Sequence, residues 1–453
     1  MSDPQRRQPG RRRTLLSAAV TTVLGVGLFL TGALALAPWQ GDPAEGRPSE
    51  PSTQRGAIAS GDTLTTAITA LQDQLRRTPD DAAALATLGL DYVQQAKNSA
   101  DPTYYPKAEE ALRRSLSLAA QDNFTALGGM AALENGRHNF AAALDWAQRA
   151  VDVNPYNSSL YGALADALTQ LGQYQQAADA VQHMVDLKPG TPSLARASYV
   201  AELRGDTETA RTWMQRALQD AANPGDRAFT HYYLSELAFN SGDFDGALRE
   251  AEAGLKATPS YTPLLQAGSR AEAALGDPDS AVRDLAKAAQ RTPLPEYVLQ
   301  LGELYQSLGR TDEAEQQYQV FRAEQQLLTD NGVTPDADAA LFEADHGDPD
   351  KAVAIARKGV QTRPFLESHD ALAWALHAAG QDREALVEAD RALTLGTRNA
   401  LFHYHRAAIL ATLGDTAAAH EELGTALAIN PRFHPRYAPQ ARAALDAPQN
   451  PAA

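Results

Sequence analysis

The ten histidines are the first residues to test for catalytic or metal-binding chemistry, because imidazole is both a general acid–base and a common metal ligand. They are scattered along the 453-residue chain, and His403 and His405 stand two apart on a predicted helix. That spacing directs the two rings to opposite sides of the helix rather than to one metal ion. The chain also lacks a glycine-rich phosphate loop and a nucleophile turn. We therefore predict a protein that is not an enzyme, with no catalytic residues, no metal ligands and no cofactor.

Acidic residues at the turns have a structural explanation. Asp277 and Asp348 each follow a glycine and precede a proline. An aspartate at this place accepts hydrogen bonds from the first N–H groups of a helix, and proline suits the first helical position. We interpret both aspartates as helix N-caps rather than metal ligands.

Composition excludes further classes of site. The sequence has no cysteine, which rules out disulfides, thiolate metal sites and cysteine nucleophiles. Its formal net charge is −16. A chain this acidic is repelled by phosphate backbones, so no nucleic-acid partner is predicted. No small-molecule substrate is expected either.

The helices that carry these residues are predicted to be sequence-divergent repeats of one helical hairpin. The hairpin is seen most clearly in residues 161–189. Apolar residues recur there at three and four positions, Gly172 ends the first helix, and Pro189 ends the second. Equivalent glycines follow at steps of 33 to 38 residues, at Gly205, Gly242, Gly276, Gly309, Gly347, Gly380 and Gly414. Five residues after each glycine stands an alanine, here called a register alanine: Ala177, Ala210, Ala247, Ala281, Ala314, Ala352, Ala385 and Ala419. A larger side chain at these positions would overpack two closely spaced helices.

This pattern resembles the tetratricopeptide repeat (TPR) family. The matching residues are Tyr161, Leu164, Ala165, Leu168, Ala177, Val181 and Pro189 in one copy, and Val298, Leu301, Gly302, Tyr305, Ala314 and Tyr318 in a later one. The predicted fold class is all-α, a right-handed α-solenoid of tandem TPR hairpins preceded by one transmembrane or signal helix. The solenoid is predicted over residues 62–446, with about ten repeats and end caps, followed by a disordered tail at 447–453.

Three departures from the repeat carry structural expectations. A seven-residue excess between Asn98 and Tyr105 predicts a projecting loop, with the next helix starting near Pro106. The stretch 223–226 predicts an added turn and a bend of the array. The second helix of the copy at 295–326 lacks its closing proline and is predicted to extend through residues 325–328, to a turn at 331–332.

The resemblance also implies where a partner binds, because the first helices of such arrays line a concave surface. Helical phase places aromatic and acidic side chains there, namely Tyr199, Glu202, Phe229, Tyr232, Glu236, Phe239, Glu303, Asp370, Trp374, His377 and Tyr404. They suit an extended or helical peptide with apolar anchors and Lys or Arg side chains. Tyr232 is expected to be removable with little loss of stability. The open alternative is that some of these rings belong to the core. The Arg and Asn set by which some relatives clamp a terminal carboxylate is not recognisable.

The amino-terminal residues do not belong to the repeats and have a separate predicted role. Arginines at residues 6, 7, 11, 12 and 13 form a basic segment (1–13) before an uncharged apolar run at 14–37, which is long enough to span a bilayer. Positive charge favours the cytoplasmic side, so the later residues are predicted to lie outside the cytoplasm, joined through a proline-rich linker at 38–61. Cleavage as a signal peptide near residues 33–37 is the alternative, which would give a secreted protein. Arg12 and Arg13 also resemble a twin-arginine export signal.

The predicted function is recognition without chemistry. The chain is interpreted as a membrane-anchored, extracytoplasmic TPR scaffold that binds protein or peptide partners through its concave face. The alternative is an exported regulatory subunit that docks on and modulates an envelope enzyme.

Overall fold

The computed structural model describes residues 61–99, 101–330, 333–335 and 337–447. These residues form 22 α-helices and no β-strand, which confirms the predicted all-α class. The helices are α1 Gly61–Arg77, α2 Ala82–Ser99, α3 Tyr104–Leu118, α4 Phe124–Gly136, α5 Phe140–Val153, α6 Ser158–Gln170, α7 Tyr174–Leu187, α8 Thr191–Leu203, α9 Thr207–Asp220, α10 Pro224–Asn240, α11 Phe244–Ala257, α12 Thr262–Leu275, α13 Pro278–Arg291, α14 Pro295–Ser307, α15 Thr311–Asp330, α16 Ala337–His346, α17 Pro349–Thr362, α18 Leu366–Ala378, α19 Asp382–Ala392, α20 Ala400–Thr412, α21 Thr416–Ile429 and α22 Tyr437–Asp446.

The predicted basic segment, apolar run, most of the linker and the tail lie outside the described residues. Among the helices of the described part, none combines the length and the apolar character needed to cross a bilayer.

Consecutive helices from α2 to α21 pair as ten antiparallel hairpins in the part of the chain that the structure describes, flanked by α1 and α22. Small residues permit the close approach within each hairpin. All eight register alanines are buried, with exposures of 4% or less. In three central hairpins a buried serine of the first helix donates to the carbonyl of the register alanine, as Ser235 does to Ala247 at 2.8 Å. The register of small residues therefore fixes the distance between paired helices.

The turns follow the predicted chemistry with one exception. Seven of the eight register glycines have positive φ, for example 72° at Gly205, a conformation that glycine tolerates best. Gly347 is not among them. Asp277 Oδ1 accepts the N–H of Ser280 at 3.1 Å, and Asp348 Oδ1 accepts that of Asp350 at 2.9 Å. Both aspartates are N-caps, as predicted.

Two expectations about irregular segments are wrong. No projecting loop separates α2 from α3 in the described residues, because α2 continues to Ser99 and α3 already begins at Tyr104. Tyr105 is 1% exposed and belongs to the core, so the additional residues are used in helix and packing. The stretch 223–226 is not an added connecting turn between α9 and α10 either. Asn223 caps α10 by accepting the N–H of Asp226, and the next residues form an additional first turn of that helix.

The predicted extension of the second helix in the copy at 295–326 is confirmed, since α15 runs for 20 residues to Asp330. Its end has a packing role. Leu328, together with Val333, joins the core cluster formed by α1 to α4. The extension therefore ties the middle of the chain to its amino-terminal repeats.

The array coils far enough for residues about 190 positions apart to touch, a contact that we call the seam. Asn430 donates its side-chain amide to the carbonyl of Phe239 at 2.8 Å across 191 residues. Gly205 lies against the backbone of Gly396. Phe365 and its neighbours share one buried cluster with residues of α8 to α10. At about 34 residues a repeat, one turn of the coil takes between five and six hairpins.

Candidate binding cavity

Closure at the seam turns the concave face into a cavity of about 530 Å³. The first helix of each hairpin from α8 to α20 lines part of the cavity. The segment before α22 completes the lining. Eight carboxyl groups but four arginines line it. The carboxyl groups belong to Glu202, Glu236, Glu296, Glu303, Asp338, Asp345, Glu367 and Asp370. Carboxyl groups therefore outnumber arginines two to one in the lining.

Six of the eleven residues predicted for the groove line this cavity: Tyr199, Glu202, Glu236, Phe239, Glu303 and Asp370. The structure therefore brings together predicted side chains from several different first helices. The other five are not among its lining residues: Phe229, Tyr232, Trp374, His377 and Tyr404.

Those five are occupied by contacts within the protein. Phe229 and Tyr232 are 3% and 7% exposed and pack in two separate core clusters. The expectation that Tyr232 is exposed is therefore wrong. Trp374 donates its indole N–H to Asp345 Oδ1 at 3.0 Å, and Tyr404 donates to Gln440 at 2.8 Å.

Two histidines near this wall also have structural partners. His377, which is also one of the five, forms a hydrogen bond with Asp382 at the turn that follows its own helix. His405, which is 1% exposed, contacts both carboxylate oxygens of Asp370 at 3.0 Å. Asp370 therefore lines the cavity with a buried hydrogen-bond partner already in place.

Two of the carboxyl groups that line the cavity, those of Glu202 and Glu367, have pKa values above those of exposed glutamates. Burial, opposed by a hydrogen bond from Asn240 and assisted by the charge of Glu236, raises the pKa of Glu202 to about 7. Burial also raises the pKa of Glu367 to about 8 against the opposing charge of Arg363. The cause is desolvation of the anion, which a bound cation would relieve.

Several polar atoms in this wall have no hydrogen-bond partner among the described residues. They are Glu236 Oε1, Glu367 Oε2 and the hydroxyl of Tyr199, which is 8% exposed. The second oxygen of Glu236 is paired with Arg270, whose guanidinium lies 4.1 Å from the centre of the Phe239 ring. Buried acceptors without donors are costly, so this wall is prepared for a ligand that donates hydrogen bonds.

Sequence reasoning missed Glu296, Glu367 and Arg270, although the repeat contains a signal for them. Arg270 stands eleven residues before its register alanine, as do the predicted residues Tyr199, Glu236 and Glu303. Glu296 and Glu367 both stand eighteen residues before theirs. Comparing equivalent positions across repeats, rather than seeking aromatic and acidic residues in each, would have found these positions.

Comparison with known proteins supports the repeat family. A family model described as Tetratricopeptide repeat matches residues 295–319, which cover α14 and the first part of α15. No curated protein matches the chain in sequence.

Among solved structures, a TPR protein of Thermus thermophilus is 21% identical, covering 43% of this chain and 98% of its own, with a TM-score of 0.37. The Cut9–Hcn1 hetero-tetramer of APC/C is 14% identical, covering 86% of this chain and 83% of that one, with a TM-score of 0.40. Human IFIT1, solved as a dimer with PPP-AAAA, is 14% identical, with coverages of 81% and 94% and a TM-score of 0.42.

Proposed function

We propose that this chain, a helical repeat protein of the tetratricopeptide type, is a non-catalytic scaffold that captures a basic peptide segment in the cavity enclosed by its coil. Helical repeat arrays bind through extended concave surfaces, and closure at the seam makes this surface a chamber. A cavity of about 530 Å³ accepts a short segment rather than a whole domain. The occupant is therefore a chain end or an extended stretch of a partner protein.

The observation that carries this proposal is the set of unpartnered acceptors on Glu236, Glu367 and Tyr199. A Lys ammonium brings three donors and an Arg guanidinium five, so a basic side chain supplies the kind of donor that these acceptors lack. Its charge would also offset the desolvated carboxylates of Glu202 and Glu367. The partner segment that we propose carries at least one Lys or Arg flanked by small or apolar residues.

Binding is expected to depend on charge and on pH. A labelled Lys-containing peptide should bind the full chain, and Glu367→Gln should weaken it about tenfold, which is about 1.4 kcal/mol. With pKa values of about 7 at Glu202 and about 8 at Glu367, the carboxyl groups become neutral as the pH falls. Affinity for a cation should therefore decrease as the pH is lowered through these two pKa values. Fluorescence anisotropy measured across that pH range checks both effects.

The matched control for this experiment is Glu250→Gln. Glu250 pairs with His231 at 2.7 Å on a hairpin surface and is not among the residues that line the cavity. Its loss should leave peptide affinity unchanged. Equal affinity for a peptide with norleucine in place of lysine, or equal weakening by both substitutions, would contradict the assignment of the cavity.

The proposal places the scaffold on the outer face of a cell membrane, anchored through residues 14–37. Its support is the order of arginines, apolar run and proline-rich linker in the sequence. The full chain should remain in the membrane fraction after a high-salt wash, and a variant without residues 1–37 should not. A soluble repeat region whose amino terminus lies near residue 36 or 38 would establish cleavage and secretion instead.

A further inference from the structure

We propose that Glu303, Asp345 and His346 bind one divalent transition-metal ion, with Zn²⁺ as the expected occupant, in the wall of the cavity. The three residues come from α14 and the end of α16. One ligand atom from each lies within 4.8 Å of the other two. Two carboxylates and one imidazole form a ligand set that accepts Zn²⁺. This site is independent of peptide capture and does not require it.

The spacing of the three atoms is close to that of a formed site. Bonds of about 2.1 Å to a tetrahedral Zn²⁺ place ligand atoms about 3.4 Å apart. Atoms within 4.8 Å of one another exceed that separation by at most about 1.4 Å, a shift of the size that side-chain rotation produces. Glu303 and Asp345 also line the cavity, so an ion held by three protein ligands would keep a coordination position for a ligand there.

Asp345 is oriented as a metal-binding carboxylate is. Its Oδ1 accepts the indole N–H of Trp374 at 3.0 Å and the hydroxyl of Tyr437. Its Oδ2 has no such partner among the described residues. Outer hydrogen bonds of this kind fix the direction of a ligating group and leave the second oxygen for the ion.

His346 is held in place but unsatisfied. Its ring stacks on Tyr318 with centroids 4.3 Å apart and lies 5.4 Å from the centre of the Phe342 ring. Its Nε2 is buried and has no hydrogen-bond partner in the described part of the chain. A rigidly packed imidazole with an unpartnered nitrogen, beside two carboxylates, is what a metal ion requires.

Two basic side chains adjoin the trio and define the competing explanation. His434 Nε2 lies 3.3 Å from Glu303, and an Arg436 nitrogen lies 3.8 Å from Asp345. His434 Nδ1 accepts the backbone N–H groups of Arg436 and Tyr437, so the ring is neutral and carries its proton on Nε2, the nitrogen nearest Glu303. In this explanation the Arg436 guanidinium and the His434 N–H offset the charge of the two carboxylates, and no ion binds. It leaves Nε2 of His346 without a partner.

The test is zinc binding by the full chain without an affinity tag, after metal removal and dialysis against ZnCl₂. Elemental analysis should find about one Zn²⁺ per chain, and titration calorimetry should give a single class of site. His346→Ala and Glu303→Gln should each lower the affinity at least about tenfold. His403→Ala is the control, because His403 pairs with Glu422 on another hairpin. That variant should bind Zn²⁺ as the parent chain does.

Thermal melts in the metal-free state separate loss of ligand from loss of fold. Glu303→Gln should melt within a few degrees of the parent chain without metal and should lose the increase that Zn²⁺ produces in the parent. Absence of stoichiometric Zn²⁺ in the parent chain would overturn the proposal. So would stoichiometric binding that both His346→Ala and Glu303→Gln leave intact.

Discussion

Gly205→Ala is expected to lower the free energy of unfolding by about 2 to 5 kcal/mol and to open the seam. Gly205 has φ of 72°, which costs a non-glycine residue about 1 to 2 kcal/mol. A Cβ atom there would lie 2.3 Å from the carbonyl oxygen of Gly396, a backbone atom that cannot rotate away. Overpacking of this kind adds about 1 to 3 kcal/mol. Thermal melts measure the stability, and small-angle scattering should detect a larger radius of gyration.

Gly309→Ala is the matched control for this prediction. Gly309 occupies the same turn position with φ of 73°, but a Cβ there meets no atom within 4 Å. It should therefore lose about 1 to 2 kcal/mol for the backbone conformation alone and keep the radius of the parent chain. Identical losses in the two variants would mean that the seam contributes no measurable stability.

Tyr232→Ala is expected to destabilise the fold by about 3 to 5 kcal/mol, the usual loss when a buried aromatic ring is removed. Tyr232 is 7% exposed and packs with Ala251 and Leu264 in the cluster between α10, α11 and α12. Its ring also meets Tyr233 edge to face at 5.0 Å. Because each repeat depends mainly on its neighbours, amide hydrogen exchange should increase first in these helices. Thermal melts and exchange rates provide the measurements.

Tyr232→Phe keeps the ring and serves as the control. It should remain within about 1 kcal/mol of the parent, since it removes only the hydroxyl and keeps the buried ring. If Tyr232→Ala instead melted with the parent chain and lost peptide binding, Tyr232 would be a groove residue, and the assignment of the cavity would need revision.

The hairpins could be predicted because their signals are local. Gly172 and Ala177 lie five residues apart, and both act on the turn and the helix pair that contain them. The extension of α15 was also visible, as a missing proline. The additional residues between Asn98 and Tyr105 were wrongly predicted to form a projecting loop, because an insertion can lengthen a helix as readily as it forms a loop. Only the packing of Tyr105 in the core distinguishes these outcomes.

The binding site could be predicted in part. Glu202, Glu236 and Glu303 were found because helical phase separates the polar positions of a first helix from the positions that pack against its neighbours. Trp374 and Tyr404 were assigned to the groove by the same argument, yet they form a cluster with Tyr437 of α22. An aromatic side chain on a concave face looks the same in sequence whether a partner or the protein's own last helix covers it.

The sequence by itself therefore determined the repeat, the buried register alanines, the glycine turns and the aspartate caps, because each depends on residues within one hairpin. Tertiary structure decided how far the array coils. Contacts such as that of Asn430 with Phe239 join residues 191 positions apart. Small rotations between successive hairpins accumulate over a whole turn of the coil, and the sequence of a single repeat does not show the total rotation. That closure encloses the carboxyl groups and desolvates Glu202 and Glu367. The packing of two neighbouring hairpins brings Glu303 to Asp345 and His346.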